Sequence, residues 1–300
     1  RSLSDMNPEI VRPNIVGLGE VLWDVFPEAA HFGGAPANFA CHAAGLGGDA
    51  WVVSAVGRDK LGDDALASLS AKNVHTLLLQ RNEHPTGTVT VTLDAAKQAS
   101  YAFAADPAWD HIAWNESLAL LARKCKAVSF GTLAQRAPVS RRTVREFLEN
   151  TSAECLRIFD VNLRQNFYSR EVIETSLGFA NVFKLNNDEV PVVAELLGLP
   201  KDEKAFVLAV AQRFDLHTVA LTRGAAGSLV WHKGAYDEKT APKVAVVDTV
   251  GAGDSFTAAL AIGLLRGEDL SRVHQRAVDV AAFVCSKAGA TPELLPEFKR

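Results

Sequence analysis

The amino-acid sequence predicts an α/β protein in which helices cover both faces of a parallel-dominated central sheet. First, strand and helix patterns alternate along most of the chain, and a repeated β-then-α order is typical of such sheets. Second, 300 residues with 48% hydrophobic content can bury one large core, although this length also allows two domains. Third, one hairpin pattern interrupts the alternation, and we expect it to form a small β lid.

The strands are predicted from short apolar or β-branched runs, and the helices from apolar residues at helical spacing. Strands are expected at residues 14–21, 50–56, 127–130, 157–162, 182–185, 218–222, 228–232 and 244–247. Helices are expected at residues 35–46, 60–72, 140–150, 188–197, 203–214, 253–265 and 270–287, with Asp59 as a candidate N-cap of the second. No repeat or linker divides these elements, so we expect a single domain that spans residues 1–300.

The hairpin begins with alternating Thr and Val over residues 86–93, a pattern typical of a half-exposed strand. Residues 94–98 are expected to form the turn and residues 100–104 the returning strand, so that the lid includes roughly residues 86–105. A hairpin that protrudes from an α/β domain leaves polar edges and one apolar face to cover. We therefore expect the lids of two subunits to pack together in a homodimer.

Composition and charge exclude several classes of protein. A formal net charge of −4 and a charged fraction of 22% show no basic excess of the kind that nucleic-acid binding needs. No run of about 18 apolar residues is present, so we expect no transmembrane helix and no membrane partner. Residues 1–10 are polar and lack an apolar signal core, so we expect a cytoplasmic protein.

The spacing of cysteines and histidines gives no sign of a metal site. The four cysteines are far apart and form no C-x-x-C pair, as expected for reduced thiols in a cytoplasm. The eight histidines show no metal-binding spacing, and we assign none of them to the chemistry.

Two common nucleotide-binding motifs are absent. Gly17 and Gly19 follow a strand start, but the dinucleotide-binding pattern needs a third glycine at the position of Leu22. No P-loop run of the form G-x-x-x-x-G-K-[ST] occurs.

Residues 253–256 are similar to the motif of GDS-type esterases, with Ser255 as nucleophile. Such an enzyme also needs a paired histidine, and it carries this motif at the start of its chain rather than near the end.

The strongest chemical signal is the run Gly251-Ala252-Gly253-Asp254, which follows a predicted strand and opens a predicted helix. A helix N-terminus presents free backbone N–H groups and a partial positive charge, and glycines allow a phosphate to approach those groups closely. Asp254 would then lie beside the bound phosphate. The alternative is that Asp254 only caps the helix, and this run alone leaves both interpretations open.

Two long motifs carry a family resemblance. The early one is Gly-Gly-Ala-Pro-Ala-Asn-Phe-Ala at residues 33–40, and the late one is Asp-Thr-Val-Gly-Ala-Gly-Asp-Ser-Phe at residues 248–256. Shorter matches are Gly47, Gly57, Gly19-Glu20 with Asp24, the run 160–164, Asn186-x-x-Glu189 and Thr222-x-Gly224-x-x-Gly227. Over nearly its whole length the chain resembles the ribokinase-like (pfkB) carbohydrate kinases. The implied fold is a three-layer α/β/α structure with a small β lid.

The early motif is most similar to that of bacterial fructokinases, because Ala35 stands where true ribokinases usually carry a lysine. The resemblance implies ATP-dependent phosphorylation of a free hexose, with fructose favoured and fructose 6-phosphate as its product. Another sugar kinase activity of the family, such as that on 2-keto-3-deoxygluconate, stays open, and a nucleoside substrate is less favoured. A non-catalytic sugar- or nucleotide-binding module is the alternative from another class.

The resemblance implies a catalytic set made of Asp254, Arg164 and the loop Gly251-Ala252-Gly253. Asp254 would be the general base that takes the proton from the sugar hydroxyl. The N–H groups of residues 252–254 would form an anion hole for the transferred phosphoryl group. Arg164 follows a predicted strand, and its planar guanidinium would reach the phosphate or the sugar. A surface arginine without such a role is the alternative.

The implied sugar-binding residues are Asp24, Gly33, Gly34, Asn38, Phe103, Arg164 and Asp254. An aspartate accepts hydrogen bonds and an asparagine both donates and accepts them, so Asp24 and Asn38 could orient a polyol. Alternatively, Asp24 is a strand-end turn residue and Asn38 a helix-start residue. Phe103, on the returning lid strand, would lie over the sugar, although an aromatic residue on a hairpin is more often simply packed.

The implied nucleotide-binding residues are Asn186, Thr222, Gly224, Gly227, Gly251, Gly253 and Gly289. Glu189 would position Mg²⁺ through water, since Mg²⁺ usually keeps several waters; helix-start capping together with Asn186 is the alternative. Backbone carbonyls near Asp248, Val250 and Gly289 would bind K⁺, as in many members of the family. The alternative is that ordinary hydrogen bonds hold this loop and no ion is needed.

Overall fold

A computed structural model describes residues 13–93 and 99–299 of the chain. Its strands are β1 (Asn14–Leu18), β2 (Leu22–Val25), β3 (Ala30–Gly33), β4 (Asp49–Val53), β5 (Ala55–Gly57), β6 (Gln80–Asn82), β7 (Gly87–Leu93), β8 (Ala99–Phe103), β9 (Ala127–Phe130), β10 (Leu156–Asp160), β11 (Val182–Asn186), β12 (Thr218–Thr222), β13 (Ser228–His232) and β14 (Ala235–Lys239). Its α-helices are α1 (Ala35–Gly45), α2 (Lys60–Ala71), α3 (Glu116–Lys124), α4 (Pro138–Glu149), α5 (Arg170–Phe179), α6 (Val190–Leu197), α7 (Glu203–Arg213), α8 (Ala252–Leu265) and α9 (Leu270–Cys285).

The central sheet has eight strands in the order β14-β13-β12-β11-β10-β9-β1-β4. From β12 to β4 all neighbours in this order are parallel, whereas β13 and β14 are antiparallel. The predicted parallel-dominated sheet is confirmed. Because parallel strands end at the same edge, the residues that follow β1, β10, β11 and β12 lie along one edge, where open α/β sheets bind their ligands.

Helices cover both faces of this sheet. Val16 of β1 packs with apolar residues of α3 to α7 on one face, and its neighbour Ile15 packs with those of α1, α2, α8 and α9 on the other. Phe130, Phe159 and Phe183 stack across three adjacent strands, with ring centroids 5.3 and 5.6 Å apart. Successive side chains of a strand point to opposite faces of the sheet, so an apolar strand such as β1 contributes side chains to the hydrophobic cores on both faces. The result is the predicted three-layer arrangement.

Four other strands, in the order β3-β2-β7-β8, form a second sheet that we call the lid sheet. The antiparallel pair of β7 and β8 confirms the predicted hairpin strands, whereas the turn expected at residues 94–98 lies outside the described residues. Leu22 and Val89 of the lid sheet pack against the buried Trp109. The homodimer expected through this sheet and the single-domain organisation of residues 1–300 stay predictions.

Three predicted strands differ in the structure. The run 50–56 is divided between β4 of the central sheet and β5, which pairs with β6 in a separate two-stranded sheet. The run 14–21 does not form one strand, because β1 ends at Leu18 and Gly19 adopts a φ of 147°, after which β2 begins in the lid sheet. The strand expected at residues 244–247 does not form. Its Val247 N–H donates at 2.9 Å to the carbonyl oxygen of Cys285, at the end of α9, rather than to a neighbouring strand. Val246 and Val247 are each 63% exposed.

Several elements were not predicted. Helices α3 and α5 begin after capping side chains: Asn115 accepts from the Leu118 N–H, and Ser169 accepts from the Val172 N–H. Each cap is followed by a glutamate in the first turn, so an N-cap signal was present in the sequence. Strands β2, β3, β6 and β14 were not predicted either, and all of them have few fully buried side chains. No helix in the described ranges is long and apolar enough to cross a bilayer.

Candidate active site

The run Gly251-Ala252-Gly253-Asp254 forms the start of α8, as predicted. Gly251 is the N-cap with a φ of 79°, and a Cβ atom on it would lie 2.1 Å from the Ala290 carbonyl oxygen, so only glycine fits. First-turn N–H groups of a helix have no partner within the helix. The expected anion hole consists of the N–H groups of residues 252–254. Of these, the Ala252 N–H donates to the Thr249 carbonyl oxygen at 3.3 Å.

Asp254 lies in the first turn of α8 and is joined to the early motif. Its Oδ2 accepts a 2.9 Å hydrogen bond from Asn38 Nδ2 on α1. Burial raises the pKa of Asp254 to about 6, and the negative charge of Asp160 adds to the increase. The Asn38 hydrogen bond and the positive charges of Lys184 and Arg164 lower this pKa, but they do not outweigh burial. The carboxylate is therefore more basic than an ordinary aspartate and is still mostly ionised at neutral pH.

Lys184, on β11, was not among the predicted site residues. Its buried Nζ lies 3.2 and 3.1 Å from the two carboxylate oxygens of Asp160, at the end of β10. Thr257 of α8 donates to Asp160 at 3.3 Å. A Cβ atom on Gly253 would lie only 3.0 Å from Lys184 Nζ, so the ammonium group sits directly beneath the first turn of α8. Burial lowers the pKa of Lys184, but the charges of Asp160, Glu189 and Asp254 outweigh burial and raise it.

Glu20 is a further buried carboxylate that the predictions did not assign to the site. It lines a recess that Asp160, Asn162, Asp254 and Thr257 also line. Its Oε2 has no hydrogen-bond partner among the described residues. Burial raises the pKa of Glu20 to about 7, and the charge of Arg164 partly opposes this. The Gly19-Glu20 pair in the family resemblance was the only sequence signal for it.

Of the predicted sugar-binding residues, Gly34 packs against Glu20 of this recess, and Asp24 and Gly33 lie on paired strands of the lid sheet. Asp24 is on β2, and a Cβ atom on Gly33 of the paired strand β3 would lie 3.3 Å from its Oδ2. Gly34 has a φ of 107°, and a Cβ atom on it would lie 2.4 Å from the Glu20 carbonyl oxygen. Both glycines therefore allow close packing. Burial raises the pKa of Asp24, while the charges of Arg164 and His31 oppose the increase.

Arg164 is exposed in the loop that follows β10. Its Nη1 donates to the carbonyl oxygen of the preceding Leu163 at 3.1 Å, and no carboxylate of the described residues lies within 4.0 Å of it. Its charge nevertheless lowers the pKa values of Glu20, Asp24 and Asp254, so the structure places the guanidinium near all three acids. This electrostatic position favours a site role over that of an unrelated surface arginine.

Phe103 is half-buried and packs against another aromatic side chain, while its place over the sugar stays a prediction. Its ring meets that of Phe167 edge to face, with centroids 5.5 Å apart. Gln165 Nε2, in the same loop as Arg164, donates at 2.6 Å to the Tyr101 carbonyl oxygen of β8. The lid sheet is thus connected to the loop that carries Arg164.

Asn186 and Glu189 form a reciprocal cap before α6, which was the alternative to a metal role. Asn186 Oδ1 accepts from the Glu189 N–H at 3.0 Å, and Glu189 Oε2 accepts from the Asn186 N–H at 2.8 Å. Glu189 Oε1 accepts from the Leu163 N–H at 2.8 Å. Burial raises the pKa of Glu189, partly opposed by Lys184. Each oxygen has a second lone pair, so capping leaves acceptor capacity for metal-bound water.

The predicted nucleotide-binding glycines lie in a turn after β12. Gly224 and Gly227 have φ values of 53° and 95°, and a Cβ atom on Gly227 would lie 2.0 Å from the Lys239 carbonyl oxygen. Thr222, the last residue of β12, donates from Oγ1 to the Leu185 carbonyl at 3.5 Å. The turn itself therefore requires Gly227, whatever it binds.

The Asp248 side chain joins the two loops at which K⁺ binding is expected. Its Oδ1 accepts from the Val250 N–H at 3.0 Å, and its Oδ2 accepts from the Gly289 N–H at 3.1 Å. His42 also contacts the second loop, with Nε2 2.9 Å from the Ala290 carbonyl oxygen. These are the ordinary hydrogen bonds that the alternative to an ion requires, and the K⁺ site stays a prediction.

A family model decides the identity of the chain. Residues 19–297 match the model described as "pfkB family carbohydrate kinase". The chain belongs to this family. It is accordingly a sugar kinase, a phosphotransferase with an alcohol group as acceptor, and its fold is the ribokinase-like α/β fold.

Individual relatives agree with this assignment. The kinase is 31% identical over 269 residues to a protein of Pyrococcus horikoshii that is named an uncharacterized sugar kinase, covering 87% of this chain and 82% of that protein. The structure of that protein in complex with ATP has a TM-score of 0.80, with 92% and 94% of the two chains covered. A fructokinase of Salmonella typhimurium is 30% identical over 259 residues, covering 82% and 83% of the two chains.

A third relative matches in fold. The structure of a 2-dehydro-3-deoxygluconokinase from Thermotoga maritima has a TM-score of 0.84 and covers 94% of this kinase and 97% of its own chain. At 20% identity it supports the fold of this kinase and carries nothing further about the substrate.

The structure argues against the esterase alternative for this kinase. Ser255 is fully buried, and its Oγ donates to the Ala252 carbonyl at 2.8 Å. His274 lies elsewhere: its Nε2 is 2.7 Å from Ser228 Oγ, and its Nδ1 is 2.6 Å from Asp237 Oδ1. A serine nucleophile would need access to substrate and a basic partner, and the hydroxyl of Ser255 has neither.

Proposed function

We propose that this kinase transfers the γ-phosphoryl group of ATP to a hydroxyl group of a free hexose, with fructose as substrate and fructose 6-phosphate as product. One observation carries the proposal. The hydrogen bond from Asn38 to Asp254 joins the early motif, whose polar side chains can bind sugar hydroxyl groups, to a carboxylate in the first turn of a helix. A helix N-terminus of this kind can bind a phosphate group. The resemblance of the early motif to that of fructokinases and the similarity to the Salmonella typhimurium fructokinase favour fructose.

Asp254 is the proposed general base. Its pKa of about 6 leaves it mostly ionised at neutral pH and basic enough to accept a proton from the sugar hydroxyl. As the sugar oxygen bonds to the γ-phosphorus, the bond from that phosphorus to the β,γ-bridging oxygen breaks, and ADP leaves with this oxygen. Asp254 holds the hydroxyl proton. Such a reaction depends mainly on positioning and on stabilising the spread negative charge.

Positive charge around the proposed phosphoryl position comes from three sources. The first turn of α8 presents backbone N–H groups and its positive dipole end. Lys184 lies beneath that turn, with Nζ 3.0 Å from the Cβ position of Gly253. Arg164 lies in the loop after β10, and its charge lowers the pKa values of Glu20, Asp24 and Asp254. We propose that Lys184 stabilises the ionised Asp160 and Asp254, while Arg164 contacts the transferred group or the sugar.

The proposed nucleotide site includes the turn after β12 and the loop before α8. Thr222, Gly224 and Gly227 would line it, and the exposed Val246 and Val247 provide an apolar surface suited to a flat base. The ATP complex of the similar Pyrococcus horikoshii kinase supports ATP as the phosphoryl donor.

Mg²⁺ fits the Asn186 and Glu189 pair only through water. Both Glu189 oxygens already accept backbone N–H groups, but each keeps a lone pair. Mg²⁺ normally retains several waters and binds substrate phosphates, so these residues would hold its water ligands. When bound, the ion neutralises charge on the nucleotide phosphates.

A keto-acid sugar such as 2-keto-3-deoxygluconate is the second candidate substrate. The observation in its favour is Arg164, which has no carboxylate of the described residues within 4.0 Å and could pair with a substrate carboxylate. A guanidinium at the site of a neutral sugar would instead contact hydroxyls or phosphate.

The test is an assay of ADP release with a panel of acceptors. Fructose, glucose, ribose, 2-keto-3-deoxygluconate and a nucleoside are compared at equal concentrations, with the Asp254→Asn variant as the blank. The proposal predicts the highest kcat/KM with fructose. A higher value with the keto-acid sugar would favour the second candidate, and sugar binding without ADP release would favour a non-catalytic module.

A further inference from the structure

Outside the candidate active site, two histidines and an aspartate meet at the base of the lid hairpin. His84 lies shortly before β7, Asp106 shortly after β8, and His111 at the end of a short 3-10 turn. His84 Nδ1 is 3.0 Å from one oxygen of Asp106, and His111 Nε2 is 2.6 Å from the other. The two imidazole rings are stacked, with centroids 3.6 Å apart and planes at 8°.

We propose that His84, Asp106 and His111 bind a divalent transition-metal ion of the Zn²⁺ type, which joins the two ends of the lid hairpin. The three ligand atoms lie within 4.8 Å of one another. Zn–N distances are about 2.1 Å and the geometry is tetrahedral, so two ligands of one ion lie about 3.4 Å apart. Rotation of the side chains that brings the three ligand atoms to this separation would complete the site.

The donor set selects the class of ion. Imidazole nitrogens suit Zn²⁺, Cu²⁺ and Ni²⁺, whereas Mg²⁺ and Ca²⁺ prefer oxygen ligands alone. The side chains of His84 and His111 are 34% and 32% exposed. An ion can thus enter and complete its coordination with water.

The backbone on both sides of the cluster is already held in place. Next to His84, the Thr86 N–H donates to Asp59 Oδ2 at 2.8 Å, and the Pro85 carbonyl accepts from the Ala108 N–H at 2.7 Å. Next to His111, the Ile112 N–H donates to Ser140 Oγ at 2.9 Å. Because these bonds fix the chain, binding would order only side chains, which keeps its entropic cost low.

The alternative is that the cluster is only a hydrogen-bonded surface group. The chain offers a matched control for this, since His75 Nε2 lies 2.7 Å from Asp49 Oδ1 and is also partly exposed. That pair has one histidine and one carboxylate but no second imidazole. A general affinity of His–Asp pairs for metal would therefore appear there as well.

The experiment titrates Zn²⁺ into metal-free protein without a histidine tag, in the absence of ATP and Mg²⁺, followed by calorimetry. Co²⁺ replaces Zn²⁺ in a parallel titration read by its visible absorption. We expect one ion per chain, a micromolar Kd, a Tm that rises with Zn²⁺, and slower amide hydrogen exchange in β7 and β8. His84→Asn and His111→Asn should abolish binding, while His75→Asn should leave it unchanged.

Two further variants keep the result decisive. Asp106→Asn alters a largely exposed side chain, so it should fold normally by circular dichroism and still bind at least tenfold more weakly. Glu189→Gln tests whether the ion goes to the candidate active site instead, and it should bind as wild type does. The proposal is overturned if Zn²⁺ does not bind saturably to the wild type, or if His84→Asn and His111→Asn bind it with wild-type affinity. It is also overturned if Glu189→Gln loses binding, or if Zn²⁺ binds without changing amide hydrogen exchange in β7 and β8.

Discussion

Asn38 Nδ2 donates a 2.9 Å hydrogen bond to Asp254 Oδ2, although 216 positions separate the two residues in the chain. The contact joins the start of α1 to the start of α8, two helices on the same face of the central sheet. It places a polar group that can bind a sugar beside a group that can accept a proton.

The first prediction concerns Asp254 as the base. Asp254→Asn keeps the size and the contact with Asn38 but removes the basic carboxylate, so kcat should fall by about two to four orders of magnitude. The fold and the affinity for ATP should persist, and circular dichroism and calorimetry would verify both. Near-normal turnover in this variant would show that another group accepts the proton.

The second prediction concerns the pH dependence of kcat. The pKa of Asp254 is raised from its ordinary value to about 6, and the base acts in its ionised form. Turnover should therefore be full above this pKa and decline as the pH falls through about 6. Because the Asn38 hydrogen bond lowers this pKa, Asn38→Ala should make kcat begin to decline at a higher pH. Asn115→Ala, which removes the cap of α3, is the control and should leave the pH dependence of kcat unchanged.

The third prediction concerns Lys184. Lys184→Met leaves the buried Asp160 carboxylate without its partner, which should cost about 3–5 kcal/mol of unfolding free energy. Lys60→Met removes an exposed partner of Asp64 and should cost at most about 1 kcal/mol. Chemical denaturation measures both. An equal, small loss in the two variants would mean that the Lys184 ion pair does not stabilise the fold.

A double variant separates the two roles proposed for Lys184. Adding Asp160→Asn to Lys184→Met removes the unpaired carboxylate and should recover most of the stability. Turnover should stay low, since the ammonium that we propose to act near Asp254 is still missing. Recovery of turnover together with stability would leave Lys184 with a structural role only.

The fourth prediction concerns Arg164. An ammonium cannot reproduce the planar fork of a guanidinium, so Arg164→Lys as well as Arg164→Ala should lower kcat/KM by about tenfold or more. The matched control is Arg170→Lys, which alters an exposed arginine paired with Glu174 at 3.1 Å. Unchanged kinetics in both Arg164 variants would place this residue outside the site.

The fifth prediction concerns a monovalent cation. Carbonyl oxygens near Asp248, Val250 and Gly289 are expected to bind K⁺ and to hold the loop before α8 in one conformation. The effect should appear in kcat more than in the KM for sugar, because the N–H groups that face the phosphoryl group would be positioned in advance. Initial rates are compared in potassium, sodium and tetramethylammonium chloride at equal ionic strength. Equal rates in all three would show that the Asp248 hydrogen bonds suffice.

Local patterns predicted most of the α/β framework. Strands such as β9, β12 and β13 match their predicted ranges because their apolar side chains stand on faces that are buried in the sheet. The polar edge strand β14 and the strand that was wrongly expected at residues 244–247 show the limit of this reasoning. Such a run becomes a strand only where a neighbouring strand offers free backbone N–H and C=O groups. The Val247 N–H donates instead to a carbonyl oxygen at the end of α9.

Some site residues belong to a sequence motif, whereas others are recognised only from the structure. The run 251–254 itself indicated Gly251, and the resemblance of the early motif implied Gly33 and Gly34, because their backbone requirements are local and leave a sequence motif. Lys184 left no comparable signal, since a lysine within an apolar strand has no periodic or motif pattern of its own. The structure shows its contact with Asp160 on the neighbouring strand. Phe103, expected over the sugar, is packed against Phe167.

The sequence by itself determined the family, most of the alternation of strands and helices, and the glycine-rich start of α8, because each depends on residues that are close together in the chain. Only the tertiary structure decided which distant side chains meet. It paired Asn38 with Asp254, placed Lys184 beneath the first turn of α8, and brought His84 and His111 to the same carboxylate. The physical reason is that hydrophobic periodicity and turn chemistry act over a few residues, whereas these contacts follow from how whole layers pack and where parallel strands end.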